Sequence, residues 1–265
     1  MVMKDGHIHS PFCPHGTKDK MVDYVEGAID LGYEEITFTE HAPLPIGFKD
    51  PTPSKDSAMR YEDLQTYLAE IRYIQQFYQK KIKVNAGLEV DFIEGFEAET
   101  KQFLNEVGPQ LDDAILSVHF LKKDAEYECL DYSPDVFEKM VSKYGSLDEV
   151  YLKYFETLKQ SINADLGVFK PKRIGHITLV KKFQKKFPPK HNFEKEIFEI
   201  LKHLKEKGYE LDYNGAGIAK PLCRETYPPL WVINKAKSLN IPLVYGSDAH
   251  QVKELNQGKD SIFIY

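Results

Sequence analysis

Strand-like and helix-like segments alternate along the whole chain, and this alternation constrains the fold more than any other feature. Short β-branched or apolar runs lie at 4–9, 35–41, 82–90, 113–118, 173–177, 209–214 and 242–245. Between them, apolar residues recur at helical spacing over 18–31, 60–79, 96–106, 147–162, 193–207 and 230–239, with Gly32 and Gly208 as stops. Residues 43–57 read as a proline-containing loop, and 122–146 as a polar, irregular stretch. Strands joined through helices run parallel, with right-handed crossovers. The spacing therefore predicts seven strand–helix repeats in one α/β domain over 1–265, with no linker or low-complexity tract to divide it. A closed barrel one repeat short of the usual eight is the first expectation, and an open doubly wound sheet the alternative. A Gly-rich dinucleotide fingerprint and a P-loop are both absent from the sequence.

Composition narrows the class of function. No stretch approaches the roughly 20 apolar residues needed to cross a bilayer, and the first residues lack the charged and apolar regions of a signal peptide. Cys13, Cys129 and Cys223 are too few and too widely spaced for a disulfide framework, which favours a reducing cytoplasm. A formal net charge of -6 argues against nucleic acid or a membrane surface as partner. It leaves room for a small anionic substrate, because bound divalent ions would dominate the local field.

In a parallel barrel, functional groups gather at the C-terminal ends of the strands. Reading only those ends gives His7 and His9, His41, Glu89, His119, His176, and Asp248 with His250; His15 follows in the first loop. Seven of the nine histidines occupy these positions, and only His191 and His203 fall elsewhere. In His7-Ile-His9 and Asp248-Ala-His250, strand geometry sends side chains i and i+2 to one side. Each residue alone has an ordinary structural reading: a hydrogen-bonded strand-end histidine, a solvated carboxylate, an Asx-type turn. Cys13 is a further possible ligand. The coincidence of nine ligand-type residues at one end of successive strands points instead to metal. A tetrahedral Zn²⁺ takes four ligands, so nine suit two or three ions with shared bridging groups.

At this point the chain resembles the PHP (polymerase and histidinol phosphatase) family. The motifs that carry the resemblance are His7-Ile-His9, His15, Thr39-Glu-His41, Gly87-Leu-Glu89, Ser117-Val-His119, Gly175-His176 and Gly246-Ser-Asp-Ala-His250. Leu211-Asp-Tyr-Asn-Gly-Ala-Gly-Ile-Ala-Lys-Pro, with Tyr227-Pro-Pro after it, is similar to the histidinol-phosphatase branch. The resemblance implies a distorted (β/α)7 TIM-like barrel and up to three divalent metals (Zn, Fe or Mn). Carried over by motif, the first ion would be held by His7, His9, Glu89 and Asp248, and the second by Glu89, His119 and His176. The third would be held by His15, His41 and His250.

The activity so implied is metal-dependent hydrolysis of a phosphomonoester, L-histidinol phosphate, in histidine synthesis, with a hydroxide bridging two ions as nucleophile. Asp248 and His250 are then placed in the catalytic machinery. Arg173 and Arg224 are candidate donors to the phosphoryl group, because a guanidinium grips two oxygens at once, and Arg173 is assigned a catalytic part as well. Lys220 is a weaker candidate, and each of these cations could equally be a surface or salt-bridged residue. Asp91 and Glu94 could receive a cationic amine, and Asn214 is expected to order the rim by hydrogen bonding. A phosphodiesterase or exonuclease of the same family and a metal-binding module without catalysis are the rival readings.

Overall fold

Parallel strands covered by helices on their outer side are buried on both faces, and here the strand sequences are apolar or polar-paired almost throughout. In the computed structural model, which describes residues 3–262, the first strand β1 (Lys4–Ile8) leads through helix α1 (Met21–Asp30) to β2 (Glu35–His41). Helix α2 (Leu64–Tyr78) precedes β3 (Lys83–Asp91), and α3 (Glu97–Val107) precedes β4 (Asp113–Ser117). An excursion follows: the hairpin β5 (Phe120–Lys123) and β6 (Glu126–Cys129), then α4 (Pro134–Tyr144) and α5 (Leu147–Asn163). The chain returns with β7 (Arg173–Ile174), α6 (Glu194–Lys207), β8 (Glu210–Asn214), α7 (Ala216–Ala219), α8 (Leu230–Ser238), β9 (Leu243–Gly246) and α9 (Lys259–Ile262). The domain expected over 1–265 and the reading of the first residues extend beyond the described residues at both ends.

Seven strands form one parallel sheet in the order β1-β2-β3-β4-β7-β8-β9. The sheet closes on itself where the segment after β9 meets β1: Ile8 bridges Ala249, the amide of His9 donates to the Ala249 carbonyl at 2.9 Å, and the amide of Asp248 donates to the His7 carbonyl at 2.7 Å. Asp5 reinforces the seam, its Oδ1 accepting from the amides of His7 (3.2 Å) and Ser247 (3.0 Å). The fold is thus a near-closed seven-stranded barrel, and the open doubly wound sheet is set aside.

Two expectations need correction. Residues 122–146 are not irregular: the β5–β6 hairpin turns at Asp124, which adopts φ +55°, and α4 starts at Ser133, whose Oγ accepts from the Val136 amide at 3.2 Å. The hairpin carries Lys122, Lys123, Glu126 and Glu128, so its alternation is hidden by charge. Its apolar side packs Phe120 and Cys129 with Ile93 in a small cluster apart from the main core. The fifth barrel strand is also shorter than 173–177, since only Arg173 and Ile174 pair. At Gly175 the backbone runs so close to β4 that a Cβ would stand 2.1 Å from Ser117 Oγ, and the chain turns there into a 3₁₀ segment, Leu179–Phe183.

That short strand also redirects Arg173. It lies at the start of β7, paired with Ile115 and Glu210, and its guanidinium runs into the barrel interior, where the residue is 2% exposed. Nη2 donates to the Gly6 carbonyl and to Asp113 Oδ2, both at 2.9 Å. Gly6 makes the room, because a Cβ there would lie 2.7 Å from Arg173 Nη1. Arg173 therefore fills the barrel beneath the strand ends rather than standing at the mouth.

Candidate metal centre

Glu89 ends the inward run of β3, and β1, β2 and the ends of β4 and β7 deliver imidazoles to its carboxylate. Oε2 lies 3.4 Å from His7 Nε2, 3.6 Å from His9 Nε2 and 3.1 Å from His41 Nδ1. Oε1 lies 2.9 Å from His176 Nε2 and 3.8 Å from His119 Nε2, and it accepts a 2.6 Å hydrogen bond from Ser117 Oγ. Asp248 comes in from the seam, in the left-handed region at φ +54°, with Oδ1 3.1 Å from His9 Nε2 and 3.8 Å from His7 Nε2. The ring of His250 stacks on that of His9 with centroids 3.9 Å apart.

The donor atoms fall into three groups whose members lie within 4.8 Å of one another: His7, His9 and Glu89; Glu89, His119 and His176; and His9, Cys13, His41 and His250. The second has the same residues as the expected set of Glu89, His119 and His176, and the first has those of the other expected set without Asp248. The third holds His41 and His250 with His9 and Cys13, and does not include His15, which was expected there. The ring of His15, at the exposed edge, lies 5.2 Å from that of His41 and 5.1 Å from that of His250.

These donors fit a metal. His7 Nε2, His9 Nε2 and His41 Nδ1 are buried without a well-formed hydrogen bond although carboxylate oxygens stand close by, an arrangement that is costly unless a cation completes it. The far nitrogens of five of the imidazoles are occupied. His7 Nδ1 is held by Asp212 at 3.0 Å, His9 Nδ1 by Glu40 at 3.3 Å and His119 Nδ1 by Asp91 at 2.8 Å; His15 and His250 use the carbonyls of Asp56 (2.8 Å) and Asp248 (3.0 Å). Carboxylate or carbonyl partners on Nδ1 leave Nε2 to bind and strengthen it as a ligand. Asn214 Nδ2 donates to Asp248 (3.1 Å) and Asp212 (3.3 Å), which is the ordering role expected of it.

Burial disfavours charge on Glu89 and Asp248, but the imidazoles, His7 foremost, outweigh it and hold both carboxyls well below their usual range. The reciprocal effect acts on His9 and His119. Burial opposes their charged forms, yet contacts with Asp248 and Glu40 raise His9 to about 9, and Asp91 and Glu89 raise His119 to about 10. His250 goes the other way, pushed well below its ordinary value by burial and then by His9.

Above the ring opens a cavity of about 380 Å³, lined by Glu89, His119, His176, Asp248 and His250 among others. Arg224 does not reach it: the residue is exposed, at φ +64°, with Nη1 donating to the Ile218 carbonyl at 3.3 Å. The cations that line it are Lys220 and one not foreseen, Lys182. Asp91 lines the cavity too but is committed to His119, and Glu94 pairs with Lys153 at 2.8 Å. Glu40 and Asp212 were also unforeseen. Both lie in quoted motifs, and Asp212, two residues before Asn214 on β8, could have been found as a same-face carboxylate beneath the rim.

Compared with known proteins, residues 5–216 match the PHP domain family. The chain is 48% identical over 259 residues to the histidinol-phosphatase of Bacillus subtilis strain 168, covering 96% of each protein. A crystal structure of a candidate histidinol phosphatase from Listeria monocytogenes superposes with a TM-score of 0.93 at 40% identity, over 97% of this chain and 99% of that one. The barrel also matches, at a TM-score of 0.67 and 23% identity, the histidinol phosphate phosphatase of Lactococcus lactis, crystallised with Zn, L-histidinol and phosphate; the match covers 95% of this chain and 87% of that one.

Proposed function

The chain belongs to the PHP domain family, and from that membership we propose that it is a metal-dependent phosphomonoesterase hydrolysing L-histidinol phosphate to L-histidinol and inorganic phosphate. The observation that carries this reading is Glu89, with both carboxylate oxygens shared among five imidazoles on the floor of an open cavity. The names of the Bacillus and Lactococcus proteins support the substrate, and the zinc in the latter supports Zn as a metal this donor set accepts.

In this reading Glu89 would be a ligand to two ions. His7, His9 and Asp248 complete the first set, and His119 and His176 the second. His41 and His250, with His15 at the open edge, form a third, for two or three divalent ions in all. Bound there, such ions supply Lewis acidity toward phosphoryl oxygens and a nucleophilic water activated near neutral pH. The protein's own part is geometric and electrostatic. Asp212, Glu40 and Asp91 fix the tautomer and direction of His7, His9 and His119, and Asn214 steers Asp248. His250 is kept neutral and so ready to act as a ligand. The buried carboxylates would offset part of the positive charge that ions bring, and the remainder would attract a phosphate. Three unpaired buried cysteines support a reducing compartment such as the cytoplasm, and among the described residues no helix is long and apolar enough to cross a membrane.

The test is a comparison of kcat/KM for L-histidinol phosphate, p-nitrophenyl phosphate and a dinucleotide on metal-loaded protein. L-histidinol phosphate should be the best substrate by a wide margin. Equal or better turnover of the dinucleotide would replace this reading with the family's phosphodiesterase activity.

A further inference from the structure

One ion pair in the cavity wall has no part in the metal sets. Lys182, in the 3₁₀ segment six residues beyond His176, places Nζ 2.8 Å from Asp131 Oδ2. Asp131 follows β6, in the stretch expected to be irregular, and its Oδ1 accepts from Cys129 Sγ at 3.3 Å. Both residues line the cavity. The pair is close enough to the ring for Asp131 to feel His119 and for Lys182 to feel Asp248. Burial works against both charges, but their mutual attraction outweighs it: Asp131 stays well below the usual carboxylate range, and Lys182 is raised. Two opposite charges are thus kept side by side, facing the space above the metal donors.

A site meant only for phosphate has no use for Asp131, because a carboxylate there repels the dianion. The placement makes sense for a ligand that carries both signs. Lys182 has three N–H donors and spends one on Asp131, and each Asp131 oxygen retains lone pairs, so both can bind a ligand without separating. We propose that Asp131 and Lys182 form the specificity pair of this site, with Lys182 taking the phosphoryl end and Asp131 an ammonium group of a zwitterionic phosphate monoester. This rests on the function proposed above and deepens it. Discrimination comes from attraction to the ammonium and from repulsion of phosphates that lack one. It also gives the hairpin excursion a purpose, since β6 delivers Asp131 to the wall.

The experiment compares L-histidinol phosphate with its deamino analogue, 3-(imidazol-4-yl)propyl phosphate, on metal-loaded wild type, Asp131→Asn and Lys182→Met. A charge-assisted hydrogen bond in a half-buried site corresponds to about 10–100-fold in kcat/KM. The wild type should therefore favour the amino ester by about that factor, Asp131→Asn should bring the ratio toward one, and Lys182→Met should lower both esters together. Metal content by elemental analysis should match wild type in each variant. A ratio unchanged in Asp131→Asn, or a ratio that falls in Lys182→Met, would overturn the assignment. If Asp131→Asn fails to fold, the wild-type ratio and the parallel loss in Lys182→Met still decide it. A wild type that hydrolyses neither ester refutes the proposed function itself, and the pair's role with it.

Discussion

Asp212 does not line the cavity above the ring, yet it governs His7, because its carboxylate on Nδ1 determines which imidazole nitrogen is free to bind. Asp212→Asn keeps the shape and removes the charge, and affinity for the first ion should fall about 10–100-fold with little change in fold, as read by competition with a chelating dye. Proton linkage at the ligands leads to a second expectation. His9 and His119, raised to about 9 and about 10, are protonated at neutral pH in the metal-free protein, and an imidazole must be neutral to bind. Metal loading should therefore release protons, and apparent affinity should climb between pH 6 and 8. Calorimetry in two buffers of different ionisation enthalpy checks this; identical heats would contradict it. At this scale the sequence was most readable where chemistry is concentrated. The ligand types and strand-end positions of Glu89, Asp248 and the histidines are visible as letters. Arg173 was misread because letters do not say whether a side chain near a strand's start points inward beneath the site, and Lys182 went unnoticed because a 3₁₀ segment has no periodicity to mark its faces.

Strands and helices were legible where amphipathic period or β-branched runs were strong, as in β2, α2 and α5. They were not legible where the signal is two residues long, as in β7, or masked by charge, as in β5 and β6. The shortness of β7 is tied to the site. Gly175 allows β7 and β4 to approach so that Ser117 Oγ can donate to Glu89 while His176 reaches the same carboxylate. Gly175→Ala would put a methyl 2.1 Å from that hydroxyl. The strands must part or Ser117 must turn away, at a cost of about 1–3 kcal/mol. The expected result is a lower Tm together with loss of metal at the Glu89, His119, His176 set. A variant with full metal content would show that Ser117 does not hold Glu89 in place.

Across the whole molecule, the donors come from β1, β2, β3, the ends of β4 and β7, and the segment after β9, so ions would tie nearly every strand of the barrel together. Their removal should loosen the barrel as a unit. At a free metal concentration 100 times its Kd, one ion stabilises by about 2.7 kcal/mol. Chelation should thus lower Tm by several degrees, and Zn²⁺ should restore it; a melting curve indifferent to chelator would argue against ions at these positions. The α/β fold class was legible at this scale from alternation, with a closed barrel the first expectation and an open sheet the alternative; the backbone contacts at Ile8 and Ala249 decide between them. That seam has a consequence for how the protein is made. His7 and His9 are made some 240 residues before Asp248 and the segment that closes against the free side of β1. Until they emerge, the nascent chain carries half of a chelating group beside an unpaired sheet edge, the kind of surface that recruits other chains. The donor set that needs Asp248 would therefore be completed only when the last strand is added, and a product cut short of β9 would be left without that ion and prone to aggregate.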